Sequence, residues 1–197
     1  VPRAGLVAAS VTEAGAELVD EVGVAALSMG MLAQRLGVKT PSLYKHVDGL
    51  DDLKHRIAVL AAIELGDAVR DATQGRAGRD SLVAAAQAMR TYVQQHPGRY
   101  AAGNLARVIG ADDPLAPAID RMLDSFSAAL HGYQLDPNVQ IHALRMLRSL
   151  LHGFATLESM GGFQLDTNVD DSFSWMVDLV DHGLQAAAPL TVERAAT

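Results

Sequence analysis

The chain has 197 residues, a net charge of −7 and 49% hydrophobic residues, and it contains no cysteine. That length allows a small domain joined to a larger helical body, while the missing cysteine excludes a disulfide framework and thiolate chemistry. No apolar run reaches the roughly 18 residues of a membrane span, and Val1-Pro2-Arg3-Ala4-Gly5 lacks the features of a secretory signal, so a cytoplasmic protein without membrane contact is expected.

The first helix is predicted from Pro2 or Arg3 to Glu21, with an apolar stripe of Val7, Val11, Ala14, Leu18 and Val22. Glu13, Glu17 and Asp20 are expected to face solvent, and Gly23 breaks the helix. Ser28 is the N-cap candidate for a short helix over 29–36. Leu27 and Leu32 stand where a hydrophobic staple would place them. Gly37 stops that helix in the left-handed conformation that glycine adopts cheaply. Thr40 is the next N-cap candidate, and Pro41 stands at N1, where a missing N–H costs nothing. The helix through His46 is barely two turns long and must dock on its neighbours. Leu43 and Val47 are its anchors, leaving Thr40, Ser42, Tyr44, Lys45 and His46 turned outward.

A fourth helix is predicted from about Asp48 to Asp71, carrying Leu53, Ile57, Leu60, Ala61 and Leu65 and serving two domains. Further helices are predicted over 79–95, 99–109, 115–132, 138–160 and 169–187. Asp113 before Pro114, Asp136 before Pro137, and Thr167 or Asn168 are the expected caps. No stretch reads as a strand, and the tail from Pro189 is expected to fray. The fold class is therefore all-α with about nine helices: an N-terminal three-helix domain over 1–56, then a larger helical domain over 57–197.

Two helices joined by a short glycine-containing turn form the plan by which many proteins read the major groove. From Arg35 to His46 there are three formal cations (Arg35, Lys39 and Lys45) and no acid, in a chain that is acidic overall. Residues 1–56 carry six Lys/Arg and seven Asp/Glu, whereas 57–197 carry ten and sixteen, so most of the excess acid lies away from this stretch. A phosphate-facing surface needs such a clearing of carboxylates. Periodicity alone is equally compatible with an ordinary helical hairpin that has a solvated basic edge.

The stretch VAALSMGMLAQRLGVKTPSLYKHVDGLDDL resembles the N-terminal domain of the TetR family of transcriptional repressors. The resemblance is carried by Gly23, Leu27-Ser28-Met29, Leu32-Ala33, Leu36-Gly37-Val38, Thr40-Pro41-Ser42-Leu43-Tyr44, His46-Val47 and Leu53. It implies a DNA-binding protein with Thr40, Pro41 and Ser42 near base edges. Lys39, Tyr44, Lys45 and His46 would then meet phosphate or fix orientation. Arg3 and the amides at the start of the first helix are further candidates for the DNA backbone. Many family members carry a lysine at the start of the fourth helix. Leu50 stands there in this chain, and Lys54 is the candidate substitute.

The last two helices carry broad apolar stripes. Leu144, Leu147, Leu151, Phe154 and Ala155 lie on one, and Phe173, Met176, Val177 and Val180 on the other, with Gly153 and Gly183 permitting close approach. They read as a homodimer interface, a four-helix bundle across a two-fold axis, or else as closure of the monomer core. LLHGFATLESMGGFQLD and HPGRYAAG resemble the ligand-binding domain of a TetR subgroup known for a Trp-His-Gly signature, with Arg148 in place of the tryptophan. This implies a small-molecule effector. Candidate lining residues are Met89, Tyr92, Met122, Phe126, His131, Arg148, His152 and Trp175. There is no HExxH spacing and no glycine-rich phosphate loop, so neither an enzyme, a metal site nor a cofactor is expected.

Overall fold

The computed structural model describes residues 6–187, which form helices, turns and irregular segments with no strand among them. The helices are α1 (Ala8–Val22), α2 (Met29–Leu36), α3 (Thr40–Leu43), α4 (Leu50–Thr73), α5 (Gly78–Gln95), α6 (Pro97–Leu105), α7 (Leu115–Ala129), α8 (Pro137–Ser159) and α9 (Val169–Ala187), with a 3-10 turn at His131–Tyr133. No helix among the described residues is long and apolar enough to cross a membrane. Arg3 and the tail from Pro189 lie outside the described residues.

Local chemistry explains where the helix ends depart from expectation. Leu6 and Val7 are not helical, so α1 begins at Ala8. Val7 is extended, and the Ser10 hydroxyl accepts its N–H at 3.1 Å while donating to its carbonyl at 2.8 Å. Ser10 thus reaches back from N3 to fix the start. Lys39, rather than Thr40, takes the N-cap place of α3, with Pro41 at the second helical position. The helix proper ends at Leu43, whose carbonyl accepts the amides of both His46 and Val47 at 2.9 and 3.1 Å. α4 starts at Leu50, where Asp52 accepts the Asp48 N–H at 2.8 Å. α6 stops at Leu105, short of Ile109, because the Asp113 carboxylate takes the Ile109 amide at 2.6 Å and holds that segment out of helix. α7 ends at Ala129 in a 3-10 turn closed by Gln134, whose φ is 49°. Asp136 and Asn168 cap α8 and α9 by accepting the amides of Asn138 and Asp170 at 2.9 and 2.8 Å.

By packing the chain forms two compact units. The first runs to Asp67 and takes in Thr91–Met122; the second is Ala68–Arg90 with the chain from Leu123 onward. In the first, α1 lies against α4 so closely that a Cβ on Gly15 would meet Leu53 Cδ1 at 3.0 Å. α6 packs against α1, where a Cβ on Gly98 would overlap the Val19 carbonyl oxygen. That approach draws α6 into the same unit as the N-terminal helices.

The second unit closes around α8 and α9. Leu147, Leu151, Ala155, Phe173, Val177 and Val180 are each at most 5% exposed within the single chain, and Phe154 and Met176 are half-buried. Within the single chain these side chains contribute to the unit's own core. Arg90 is buried among them. Its guanidinium donates to Glu158, pairs with Asp170 at 2.7 Å and lies 4.6 Å from the Phe173 ring centroid and 5.7 Å from that of Phe154. Buried charge of this kind needs full pairing, and here it joins α5, α8 and α9. Nearby, Tyr133 Oη donates to the buried Asp181 at 2.5 Å, and Gln185 donates to the other carboxylate oxygen at 2.9 Å. Burial, then the bond to Asp181, raises the Tyr133 pKa above its ordinary value.

Candidate nucleic-acid interface

The α2–turn–α3 segment is built from the capping chemistry its sequence carries. Ser28 accepts the Met31 N–H at 3.3 Å, and Gly37 adopts φ 65°, ψ 32°. The Gly37 and Val38 amides then reach the Gln34 and Ala33 carbonyls at 3.1 and 3.0 Å, satisfying the helix end. Beneath lies one apolar core containing Val11, Leu18, Val19, Leu27, Met29, Leu32, Leu43, Val47, Leu53 and Ile57. Leu43 is 0% and Val47 2% exposed, so a helix of a single turn is held entirely by its anchors. On its outer side Lys39, Pro41, Tyr44 and Lys45 are exposed, and Thr40, Ser42 and His46 are partly so. Tyr44, at 54% exposure, presents its ring to solvent.

Two side chains in this region have roles the sequence pattern did not reveal. Arg35 is drawn back onto α1, donating to Glu21 Oε1 and Oε2 at 2.7 and 2.8 Å and to Glu17 at 3.3 Å. The hydrogen bonds that Arg35 donates to Glu21 lower the Glu21 pKa and raise that of Arg35. The acid-free run along the sequence is therefore not acid-free in space, and the outward cations are Lys39 and Lys45, with Lys54 half-buried one turn into α4. Leu50 packs partly buried against the apolar core and so serves packing at the start of α4.

Behind the reading pair lies a polar network centred on Arg99, which is 6% exposed. Its Nε donates to Asp20 at 2.9 Å, Nη1 to Glu64 at 2.8 Å and Nη2 to Glu13 at 3.1 Å. Its backbone N–H also donates to Asp20, at 2.8 Å, so a carboxylate on α1 caps the first turn of α6 from outside that helix. His96 Nδ1 lies 3.2 Å from the same carboxylate. Tyr92 donates to Glu64 at 2.8 Å, and burial followed by the Glu64 charge raises its pKa. Asp20, expected in solvent, is largely covered by Arg99, whereas Glu13 faces solvent as expected while accepting from Arg99. The signal was present in His96-Pro97-Gly98-Arg99, but its partner on α1 lies 79 residues away in sequence.

A second tie holds α4 to the segment before α7. Asp113 accepts His55 Nε2 at 2.7 Å, the Ile109 N–H at 2.6 Å and the Leu115 N–H at 2.8 Å. The two backbone amides, Leu115 first, and then His55 hold its pKa down to about 2. Asp113 is thus a helix cap, as expected, and also the acceptor for a side chain on α4.

The residues expected to line an effector chamber divide sharply. Met89 and Phe126 are buried in the second unit, where His152 is half-buried. Tyr92 is buried and Met122 half-buried in the first unit, Met122 packing against Gly66 of α4. His131 and Arg148 are exposed, and Trp175 is 70% exposed.

Comparison with known proteins accords with this geometry. Residues 11–53 match the family described as bacterial regulatory proteins, tetR family, and residues 82–180 match the tetracyclin repressor-like C-terminal domain. The chain is 30% identical over 187 residues to the uncharacterized HTH-type transcriptional regulator YobS of Bacillus subtilis, covering 93% of this chain and 95% of that one. It is 35% identical over 178 residues to the uncharacterized HTH-type transcriptional regulator Rv0681 of Mycobacterium tuberculosis, covering 89% and 80%. Among solved structures, a TetR variant from Acinetobacter baumannii in complex with minocycline superposes with a TM-score of 0.71 at 21% identity, covering 94% of this chain and 99% of that one. These relatives are transcriptional regulators, not enzymes. On the match across both halves and the identity along nearly its whole length, the chain belongs to the TetR family of transcriptional regulators.

Proposed function

We propose that this regulator is a repressor that binds a palindromic operator as a homodimer and is released by a small-molecule effector. The observation that carries the reading is the outward side of α3. Lys39, Pro41, Tyr44 and Lys45 are exposed on a turn whose other side is fully buried. Thr40, Pro41 and Ser42 would meet base edges, the proline offering apolar contact to a thymine methyl. Lys39, Tyr44, Lys45, His46 and Lys54 would meet phosphate and fix register. A helix this short reads few bases, and two copies on a two-fold axis double the site.

The dimer is supported by a stripe different from the one that periodicity picks out. On α8, Met146, Leu150 and Leu157 are exposed at helical spacing, with Gly153 between them. On α9, Trp175 and Leu179 are 70% and 59% exposed. A Cβ added at Gly153 or Gly183 would meet nothing within 4 Å, leaving room for a partner's helix. Exposed apolar side chains at this density favour a second copy. The effector reading is supported by the tetracyclin repressor-like match over 82–180. Within the second unit its proposed contacts narrow to Met89, Phe126 and His152. An effector releases DNA only if it binds the released state more tightly than the DNA-bound one.

A second reading has its own support. Arg35 is occupied by Glu17 and Glu21, and Leu50 has no charge, which thins the phosphate-facing surface. A helical small-molecule or protein-binding module without an operator would look like this. A mobility-shift assay on duplexes enriched from a random pool separates the two. A retarded complex at low salt supports the repressor; a folded dimer that retards no duplex supports the module.

A further inference from the structure

Two consecutive acids at the C-terminal end of α1 face different helices. Asp20 accepts both the backbone N–H and the Nε of Arg99 on α6, at 2.8 and 2.9 Å. Glu21 accepts both arms of the Arg35 guanidinium on α2, at 2.7 and 2.8 Å. Both pairings are fork-like, so each fixes orientation as well as distance. Arg35 is in the last turn of α2, immediately before the Gly37 turn that leads into α3. Gly98 of α6 abuts the backbone of Val19 and Asp20 without room for a Cβ, so α6 cannot advance on the end of α1 without pushing it, while the two Arg99–Asp20 bonds resist its withdrawal.

We propose that the Asp20–Glu21 end of α1 is a junction that carries displacements of α6 to α2, with Asp20, Glu21, Arg35 and Arg99 as positioning residues for the reading pair. The junction is distinct from the bond that Arg99 makes to Glu64 on α4, because it reaches the reader through α2 and bypasses the start of α4. Its bearing on DNA rests on the proposed operator binding; its mechanical part does not.

Hydrogen exchange followed by mass spectrometry tests it on the full chain without DNA. Asp20→Asn weakens the α6 side of the junction while keeping an acceptor oxygen for the Arg99 amide. The amides of α2, residues 29–36, are expected to exchange roughly two- to five-fold faster in this variant, the range open to the exposed Arg35–Glu21 pairing through which the change reaches α2. In an Arg35→Met background the same substitution is expected to leave α2 exchange unchanged from Arg35→Met alone. The amides of α8 and α9 serve as the control for general loosening. If Asp20→Asn unsettles them too, Glu21→Gln replaces it, with the readout moved to the first turn of α6.

Indifference of α2 to Asp20→Asn overturns the junction. So does an effect that persists undiminished in the Arg35→Met background, which would assign the path to Glu64 and α4. On DNA selected from a random pool, Asp20→Asn is expected to lower affinity in the wild-type background and not in the Arg35→Met background. Absence of any selected duplex would refute the operator reading and leave the exchange cycle to decide the junction by itself.

Discussion

Gly98 offers the sharpest test of how α6 is joined to α1. A Cβ at this position would overlap the Val19 carbonyl oxygen and lie 2.7 Å from the Asp20 amide nitrogen. Both obstacles are backbone atoms inside a helix, so no side-chain rotation relieves them. α6 must withdraw far enough to reach van der Waals distance, which also stretches the two bonds from Arg99 to Asp20. Overpacking of this kind costs about 1–3 kcal/mol, and loosening a charge-assisted hydrogen bond adds to it, so Gly98→Ala is expected to cost about 3 kcal/mol. For a chain of this size that corresponds to a fall in Tm of roughly 6–12 °C. Gly103 on the same helix is the control. Its added Cβ would meet only Ala61 Cβ, at 3.7 Å, an ordinary van der Waals distance. Removing a glycine from a helix interior gains about 0.5–1 kcal/mol, so Gly103→Ala is expected to raise Tm slightly. Circular dichroism melts of the two variants beside wild type decide the matter. A Gly98→Ala protein that melts with or above Gly103→Ala would refute the close approach.

Lys45→Ala is expected to weaken operator binding, with the oligomeric state unchanged. The slope of log affinity against log salt should fall by about 0.9 for each phosphate that the lysine neutralises. Tyr44→Ala should weaken binding with the same indifference of assembly, both read by fluorescence anisotropy and sedimentation. Trp175→Glu with Leu179→Glu is expected to yield a folded monomer by analytical ultracentrifugation. Leu151→Ala, by contrast, removes a core side chain and is expected to cost about 2–4 kcal/mol by urea titration. Asp113 has a folded-state pKa of about 2, below its ordinary value of 3.8, so its contribution to stability is complete above that ordinary value and is lost as pH falls toward 2. Asp113→Asn should therefore flatten the fall of the urea midpoint over this acid range; an unaltered acid limb would count against the assignment.

Much of the fold was legible because its determinants are local. Ser28, Gly37, Asp136 and Asn168 act within four residues of themselves, and a reader of caps and turns finds them. The buried stripe of α1 and the anchors Leu43 and Val47 follow from helical spacing. What escaped was set by long-range pairing. Periodicity identifies an apolar stripe without saying which surface covers it, so Leu147, Leu151 and Val177 read as interface, with closure of the core as the alternative. Arg35 belongs to a basic run in sequence, yet its carboxylate partners come from the preceding helix. Asp20 reads as a solvated acid until α6 is brought to it from across the chain. Trp175 reads as a wall for a ligand because it is aromatic, though its place on α9 turns it outward.

The central claim is that α3 reads DNA in pairs. Selection of bound duplexes from a random pool, repeated with the Tyr44→Ala/Lys45→Ala variant, tests it most directly. A dimeric reader predicts enrichment of a two-fold symmetric sequence by the wild-type protein, half-sites about one helical turn or a multiple of it apart, and loss of enrichment in the variant. A folded, dimeric wild-type protein that enriches no sequence, or a variant that enriches the same palindrome equally well, would contradict it.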